Sequence, residues 1–205
     1  MTQEIIYSSN YINRSRQELV DDLSRRLSKN RFQHVLRVEE TALELADHYG
    51  INKEKVSIAA LMHDYAKEMD QDQMLELAKE FWPDDSLSEA TEGIWHGLAA
   101  AEICRSQMDC QDCSILNAIA AHTTGWYEMS PEAKVIFMAD YIEPARDFNK
   151  VNKIRKIVLE DLDYACYKKI TTSIKHLMKN KMYIFPVQFF VYNDWNTKLK
   201  AKKKI

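Results

Sequence analysis

Apolar residues recur at helical spacing along most of this chain, and five of the stripes they form include a residue that ordinarily avoids a core. His34, Val38, Ala42, Leu45 and Tyr49 step by three and four, which lines one face of a helix. Val56, Ala59 and Ala60 share a face with His63, and His96 begins the stripe that continues through Ala99, Ala100 and Ile103. Ile115, Ala118 and Ile119 lead to His122, and Ala133, Ile136 and Phe137 lead to Asp140. Punctuation between the stripes sets the helix limits. Ser15 and Glu18 form a capping box for a first helix reaching about Ser28, and a second runs from about Arg31 to Tyr49 and stops at Gly50, a residue suited to a left-handed cap. Asn52 caps a third helix that delivers His63 and Asp64, and Asp70 caps a fourth, amphipathic one through Met74, Leu75, Leu77 and Ala78. Phe81-Trp82-Pro83-Asp84-Asp85 breaks the pattern and starts a loop lasting to about Thr91, either a pocket wall or a plain connector. A fifth helix carries His96. A sixth, from about Cys113, carries His122 and ends at Thr123-Thr124-Gly125. Ser130-Pro131-Glu132 places an N-cap before a proline at the first position of a seventh, which brings in Asp140. Beyond Arg146 the pattern is helical again without a ligand-type residue facing inward. It predicts a supporting lobe that ends in Phe185 to Trp195 and a lysine-rich tail. Residues 1–12 carry no periodicity and read as either loose or packed as an extended arm.

Four glycines and four prolines in 205 residues leave little material for turns between strands, so the expected class is all-α: a helical bundle with additional C-terminal helices. The length and an apolar fraction of 46% fit one domain over residues 1–205, with a core at about 31–146 and a C-terminal lobe at about 147–205. No stretch has signal-peptide character or approaches the roughly 20 apolar residues of a membrane span. A cytoplasmic protein that does not engage a membrane is expected. A net charge of −3 without a basic face argues against binding long nucleic acid. Cys104, Cys110, Cys113 and Cys166 are expected to be reduced. Cys110-x-x-Cys113 lacks the second pair that a structural zinc site needs. His48 and His176 lie off the buried stripes.

Ala59-Ala60-Leu61-Met62-His63-Asp64-Tyr65-Ala66-Lys67 departs from a plain helical stripe. Its apolar lead-in ends in an imidazole beside a carboxylate, a pair that is costly to bury unless something satisfies both. Any one inward histidine, taken alone, reads as a hydrogen-bonded core residue rather than a ligand. Five unpaired polar burials at about 1–3 kcal/mol each would consume much of an ordinary domain's stability. Metal ions satisfy imidazole and carboxylate together.

The order His34, His63-Asp64, His96, His122, Asp140 resembles the HD-domain metal-dependent phosphohydrolases, in the branch with two extra histidines before the last aspartate. More narrowly, Arg31 to His34, AALMHDYAK at Ala59 to Lys67, His96-Gly97, His122-Thr123-Thr124-Gly125 and ADYIEPAR at Ala139 to Arg146 resemble the YqeK family. Its members are symmetrical diadenosine tetraphosphate hydrolases with a di-iron-type centre. The resemblance implies an HD-domain fold, two divalent or mixed-valence metal ions held by His34, His63, Asp64, His96, His122 and Asp140, and cleavage of diadenosine tetraphosphate to two ADP by a metal-bound hydroxide. It also favours iron among the metals that imidazole and carboxylate ligands suit, which include manganese, cobalt, nickel and zinc.

Within such a centre Asp64 is the natural bridge, with His34, His63 and Asp140 completing one position and His96 and His122 the other. Lys67, one helical turn beyond, is expected to act with Asp64 in catalysis or else to pair with Glu68 or Asp70 at the surface. Arg31, Lys67, Thr123, Thr124, Gly125 and Arg146 are the candidate substrate contacts. Arg146 reads equally as a partner of Glu143, and Arg31 has the same ambiguity. Trp95, Trp126 and Tyr127 read as core or as base-stacking residues. The implied partner is a small nucleotide. Two rival functions remain: phosphohydrolysis of nucleoside mono- or triphosphates, and a non-catalytic nucleotide sensor.

Overall fold

The computed structural model describes residues 5–202. Within them the chain forms ten α-helices and one short 3-10 helix, with no strand. Helix α1 (Arg16–Arg26) starts at the Ser15–Glu18 capping box, both halves of which are present. It ends earlier than the pattern predicts, because Ser28 is used to start the next helix. Its side chain accepts from Arg31 N and caps α2 (Lys29–Tyr49), while Glu68 takes the Ser28 amide and hydroxyl at 2.6 and 2.7 Å. Gly50 closes α2 in the left-handed region at φ 65°, where a side chain would be strained.

Helix α3 (Lys53–Met62) is capped by Asn52 and stops one residue before His63. The expectation that this helix carries the His-Asp pair is therefore corrected: His63 is its C-cap, and Asp64 begins a run of turns in which Lys67 N donates to Asp64 O at 2.9 Å. Helix α4 (Gln71–Phe81) is capped by Asp70. The loop after it is not featureless, since Asp84 caps a 3-10 helix at Asp85–Glu89. Helices α5 (Glu92–Gln107), α6 (Cys113–Ala120) and α7 (Pro131–Ile142) follow. Helix α6 ends at Ala120, so His122 lies on the turn behind it.

The segment after Arg146 is three helices: α8 (Val151–Glu160), α9 (Leu162–Lys179) and α10 (Pro186–Ala201). Helix α2 packs on α3 and α7, α5 packs on α4 and α6, and α9 packs on α7, α8 and α10. One apolar cluster from Ile12 to Trp195 runs through all of these layers. Of the two readings of the N-terminal stretch, the packed arm holds for its described part. Ile12 is buried, Tyr7 OH lies 2.6 Å from Ser57 Oγ, and Asn13 N donates to Met108 O. Residues 1–4, and residues 203–205 of the lysine tail, lie outside the described residues. No helix among the described residues is long and apolar enough to cross a membrane.

Candidate metal centre

Five elements each carry ligand-type side chains to one point. His34 comes from the second turn of α2, His96 from α5 and Asp140 from the last turn of α7. His63 and Asp64 come from the end of α3 and His122 from the turn after α6. The four histidines and Asp64 are buried, and the Asp140 side chain is 18% exposed. The approach of α5 to the His122 turn depends on Gly97: a Cβ there would sit 3.1 Å from the His122 ring and 3.2 Å from Ala120 O.

Hydrogen bonding fixes how the imidazoles are turned. Nδ1 of His63 is 2.6 Å from Ala60 O, that of His96 2.8 Å from Glu92 O, and that of His122 2.8 Å from Ile119 O. A carbonyl only accepts, so each Nδ1 carries a proton, and in the neutral ring each Nε2 then offers a lone pair. His34 follows the same rule with a carboxylate, Glu143 Oε1 at 3.2 Å. All four Nε2 atoms face Asp64. Oδ2 of Asp64 lies 3.5 Å from His34 Nε2 and 3.3 Å from His63 Nε2, and Oδ1 lies 3.2 Å from His96 Nε2 and 4.0 Å from His122 Nε2. Oδ1 of Asp140 is 3.3 Å from His34 Nε2.

Two observations point to cations. Nε2 of His34 and Nε2 of His63 are buried with no hydrogen-bond partner, a state that native structures avoid. Nε2 of His96 and Nε2 of His122 are 2.9 Å apart. Two lone pairs repel at that distance, whereas donors about 2.1 Å from one ion at a right angle stand about 3 Å apart. Groups able to hold an ion form two overlapping sets, His34-His63-Asp140 and His63-Asp64-His122. His63 belongs to both sets, and His96, whose Nε2 lies 3.2 Å from Asp64 Oδ1, belongs to neither.

The two carboxylates are held in the ionised form that binds a cation, whereas His63 is drawn towards protonation, because the adjoining Asp64 raises its pKa against the cost of burial. Burial alone would raise the pKa of Asp64, but the adjoining His63 and His96 hold its carboxyl well below the usual range. Asp140 is likewise held well below it against the cost of burial, by Lys169, His34, His63 and Arg146. Burial, reinforced by the neighbouring His96 and His63, keeps His122 neutral. Around the mouth, Arg31 Nη1 reaches Asp64 Oδ2 at 2.8 Å and Arg146 Nη2 reaches Asp140 Oδ1 at 2.6 Å. The Arg146 side chain is 3.8 Å from the Glu143 carboxylate, so its closer partner is Asp140. Lys67 Nζ stands 3.4 Å from His96 Nδ1 and, like both arginines, lines the cavity over the centre.

Thr123 also lines that cavity, with its Oγ 3.2 Å from His122 Nε2. Thr124 and Gly125 do not. Thr124 donates to Gly125 O and lines a separate apolar pocket, while Gly125 turns the chain at φ 70° with its open side towards Phe137 and Ile170. Trp95 donates to Leu87 O, Trp126 sits in the apolar pocket against Trp82, and Tyr127 borders a third cleft, so none of the three lines the cavity over the centre. All four cysteines are free thiols; Cys110 is hydrogen-bonded to Cys104, and Cys113 is exposed. His48 and His176 are exposed, as expected.

Two residues that pattern reading passed over complete the centre. Buried Glu143 holds His34 Nδ1 with one oxygen and Arg37 Nε with the other at 2.7 Å. Lys169, on α9, donates to Phe137 O at 2.6 Å and His122 O at 3.2 Å and stands 3.4 Å from Asp140 Oδ2. The C-terminal helices send no ligand-type residue to the centre among the described residues, but they do send the buried Lys169. Its signal was present: it interrupts the apolar stripe Leu162, Ala165, Cys166, Ile170. Glu143→Gln is expected to lower metal affinity about 10–100-fold while leaving the fold intact, because the partner that orients a ligand imidazole loses its charge. Metal titration followed by calorimetry checks this, and an unchanged affinity would limit Glu143 to pairing with Arg37.

The HD domain family matches residues 31–145 of the chain. A curated relative from Bacillus subtilis (strain 168), named bis(5'-nucleosyl)-tetraphosphatase, symmetrical, is 37% identical over 180 residues, covering 87% of this chain and 96% of the relative. A relative of the same name from Staphylococcus aureus (strain NCTC 8325 / PS 47) is 31% identical, covering 83% of this chain and 89% of the relative. A crystal structure from Clostridium acetobutylicum, described as a predicted HD superfamily hydrolase involved in NAD metabolism, superposes with a TM-score of 0.85 at 32% identity, covering 90% of this chain and 98% of that one.

Proposed function

The chain belongs to the HD domain family, and from that premise we propose that it hydrolyses dinucleoside polyphosphates, cutting diadenosine tetraphosphate symmetrically into two molecules of ADP as the names of its relatives describe. The observation that carries the chemistry is the convergence of four Nε2 atoms on the two oxygens of Asp64 beneath a rim of Arg31, Lys67 and Arg146. Two cations bound there would lower the pKa of water and draw charge from the phosphoryl oxygens. His34, His63, Asp64 and Asp140 would hold one and His96, His122 and Asp64 the other. A donor set of imidazole and carboxylate without thiolate suits iron, with manganese, cobalt, nickel and zinc as alternatives. The small-nucleotide substrate and a cytoplasmic location belong to the same reading.

The chain's own residues do the rest. Guanidinium groups present planar pairs of N–H donors, which match two phosphate oxygens at once. Arg31 and Arg146 flank the cavity from α2 and from the segment after α7, so they suit the phosphates on either side of the scissile bond. Lys67 is half-buried, and burial lowers its pKa despite the nearby Asp64. A charge so placed acts on the polyphosphate with less screening by water than a surface lysine. Lys169 ties the lobe at about 147–205 to the core at about 31–146 through Asp140, which supports reading the chain as one functional unit.

Chromatography of the products after incubation with metal and diadenosine tetraphosphate tests the assignment. ADP as the sole nucleotide product is expected. ATP together with AMP would overturn the symmetrical cut, and turnover of mononucleotides alone, or of nothing, would favour the rival readings. Lys67→Ala is expected to lower kcat/KM by about 100-fold or more, the scale of removing one aligned charge from a transition state, with bound metal unchanged. Normal kinetics in that variant would return Lys67 to a supporting role.

A further inference from the structure

The cavity over the metal centre does not end at the centre. Gly93, Thr123 and Ser173 line it, and the same three residues also line a groove of about 470 Å³ that runs between the start of α5, the end of α7 and the α9–α10 connection. That volume falls within the roughly 300–1,000 Å³ typical of small-molecule sites. The two spaces differ in charge. Arg31, Lys67, Arg146 and Lys169 line the first, whereas no lysine, arginine, aspartate or glutamate among the described residues lines the groove. Anionic phosphate suits the one and an uncharged group the other.

The groove is built for a flat, partly polar group. Tyr141, directly after the ligand Asp140, and Phe148 form an aromatic pair with ring centroids 4.6 Å apart and planes inclined by 34°. Met182 and Tyr183 also line the groove, and they remain 52% and 44% exposed. Apolar groups left open at the edge of a concave site are what a ligand covers. Thr172 and Ser173, on α9, add hydroxyls to the lining, within the polar-on-apolar pattern that small-molecule sites use to fix orientation. The apolar pocket around Trp82 and Trp126 has aromatic rings as well, but it shares no lining residue with the cavity over the metals and holds only about 190 Å³.

We infer that this groove binds the nucleoside of one half of the substrate, with the base stacked on the Tyr141–Phe148 pair under Tyr183 and the phosphates passing Ser173 and Thr123 to the metals. The C-terminal helices then supply a substrate subsite rather than support alone. The inference rests on the dinucleotide reading above, but its test does not depend on turnover. Binding of ADP and of inorganic pyrophosphate to the metal-loaded protein is measured by calorimetry for the wild type, Phe148→Ala, Tyr183→Ala and Trp126→Leu. Loss of base–aromatic stacking should weaken ADP about tenfold or more in the two groove variants and leave pyrophosphate within about twofold, because pyrophosphate meets only the charged cavity. Tyr183 is largely exposed, so its variant remains informative even if Phe148→Ala folds poorly. Unchanged ADP affinity in both groove variants, a parallel fall for ADP and pyrophosphate, or a loss of ADP confined to Trp126→Leu would overturn the assignment. A wild type that binds ADP but releases none from the dinucleotide would count against the function and not against the groove.

Discussion

Asp64→Asn should abolish hydrolysis and deplete both metals at once. Its carboxylate is the one group whose two oxygens face different histidine pairs, Oδ2 towards His34 and His63 and Oδ1 towards His96. An amide offers one carbonyl oxygen and an NH2 donor without net charge, and an NH2 aimed at either cation is repelled. The two cations would also lose the anion between them. Arg31, 2.8 Å from Oδ2, would keep its charge with no carboxylate to meet it. The variant should still fold, because the apolar stripes that carry the ligands are intact, but with a lower melting temperature when metal is present, since an ion bound only by the native state stabilises it. Metal content per chain, activity and thermal midpoint are the measurements. Full metal content would remove the bridge.

His122→Ala should act on one position only. His34, His63, Asp64 and Asp140 remain as a nearly complete set, whereas His96 is left as the sole imidazole near Asp64 Oδ1. One metal per chain should stay, and activity should fall by several orders of magnitude because the clamp on the phosphoryl group needs both ions. The variant also relieves the 2.9 Å approach of the His96 and His122 nitrogens, so without metal it should lose little stability. Equal loss of both ions in His122→Ala and Asp64→Asn would show that the centre does not divide along the two Asp64 oxygens.

These two outcomes trace back to what sequence could and could not convey. The meeting of the six ligand-type residues was legible because each begins, ends or follows an apolar stripe of helical period, and a polar residue repeated at that place five times has no economical structural reading. The caps at Ser15, Asn52, Asp70 and Ser130 were legible for an equally local reason, since each serves the two or three residues that follow it. Less legible was that His63 and His122 stand just past their helices rather than within them. Side-chain periodicity continues through a turn of helical sign, so it marks a direction better than it marks an end.

Partners set by packing between distant segments were not legible at all. Glu143 meets His34 across 109 positions, and Lys169 reaches Asp140 because α9 lies against α7, which no local pattern encodes. Of the aromatic residues near the centre in sequence, Trp126 and Tyr127 line other pockets and Trp95 is bonded to Leu87 O, for the same reason. Tyr141 and Phe148, closer to the ligands in space, read as ordinary apolar residues of α7 and the loop after it.

Metal stoichiometry follows directly from the arrangement around Asp64. Protein stripped with chelator should bind no more than residual metal and show no hydrolysis of diadenosine tetraphosphate. Adding iron(II) under anaerobic conditions should restore activity to a plateau at about two equivalents per chain, the number of positions that the two oxygens of Asp64 face. Full activity in the stripped protein, or a plateau reached at one equivalent, would contradict it.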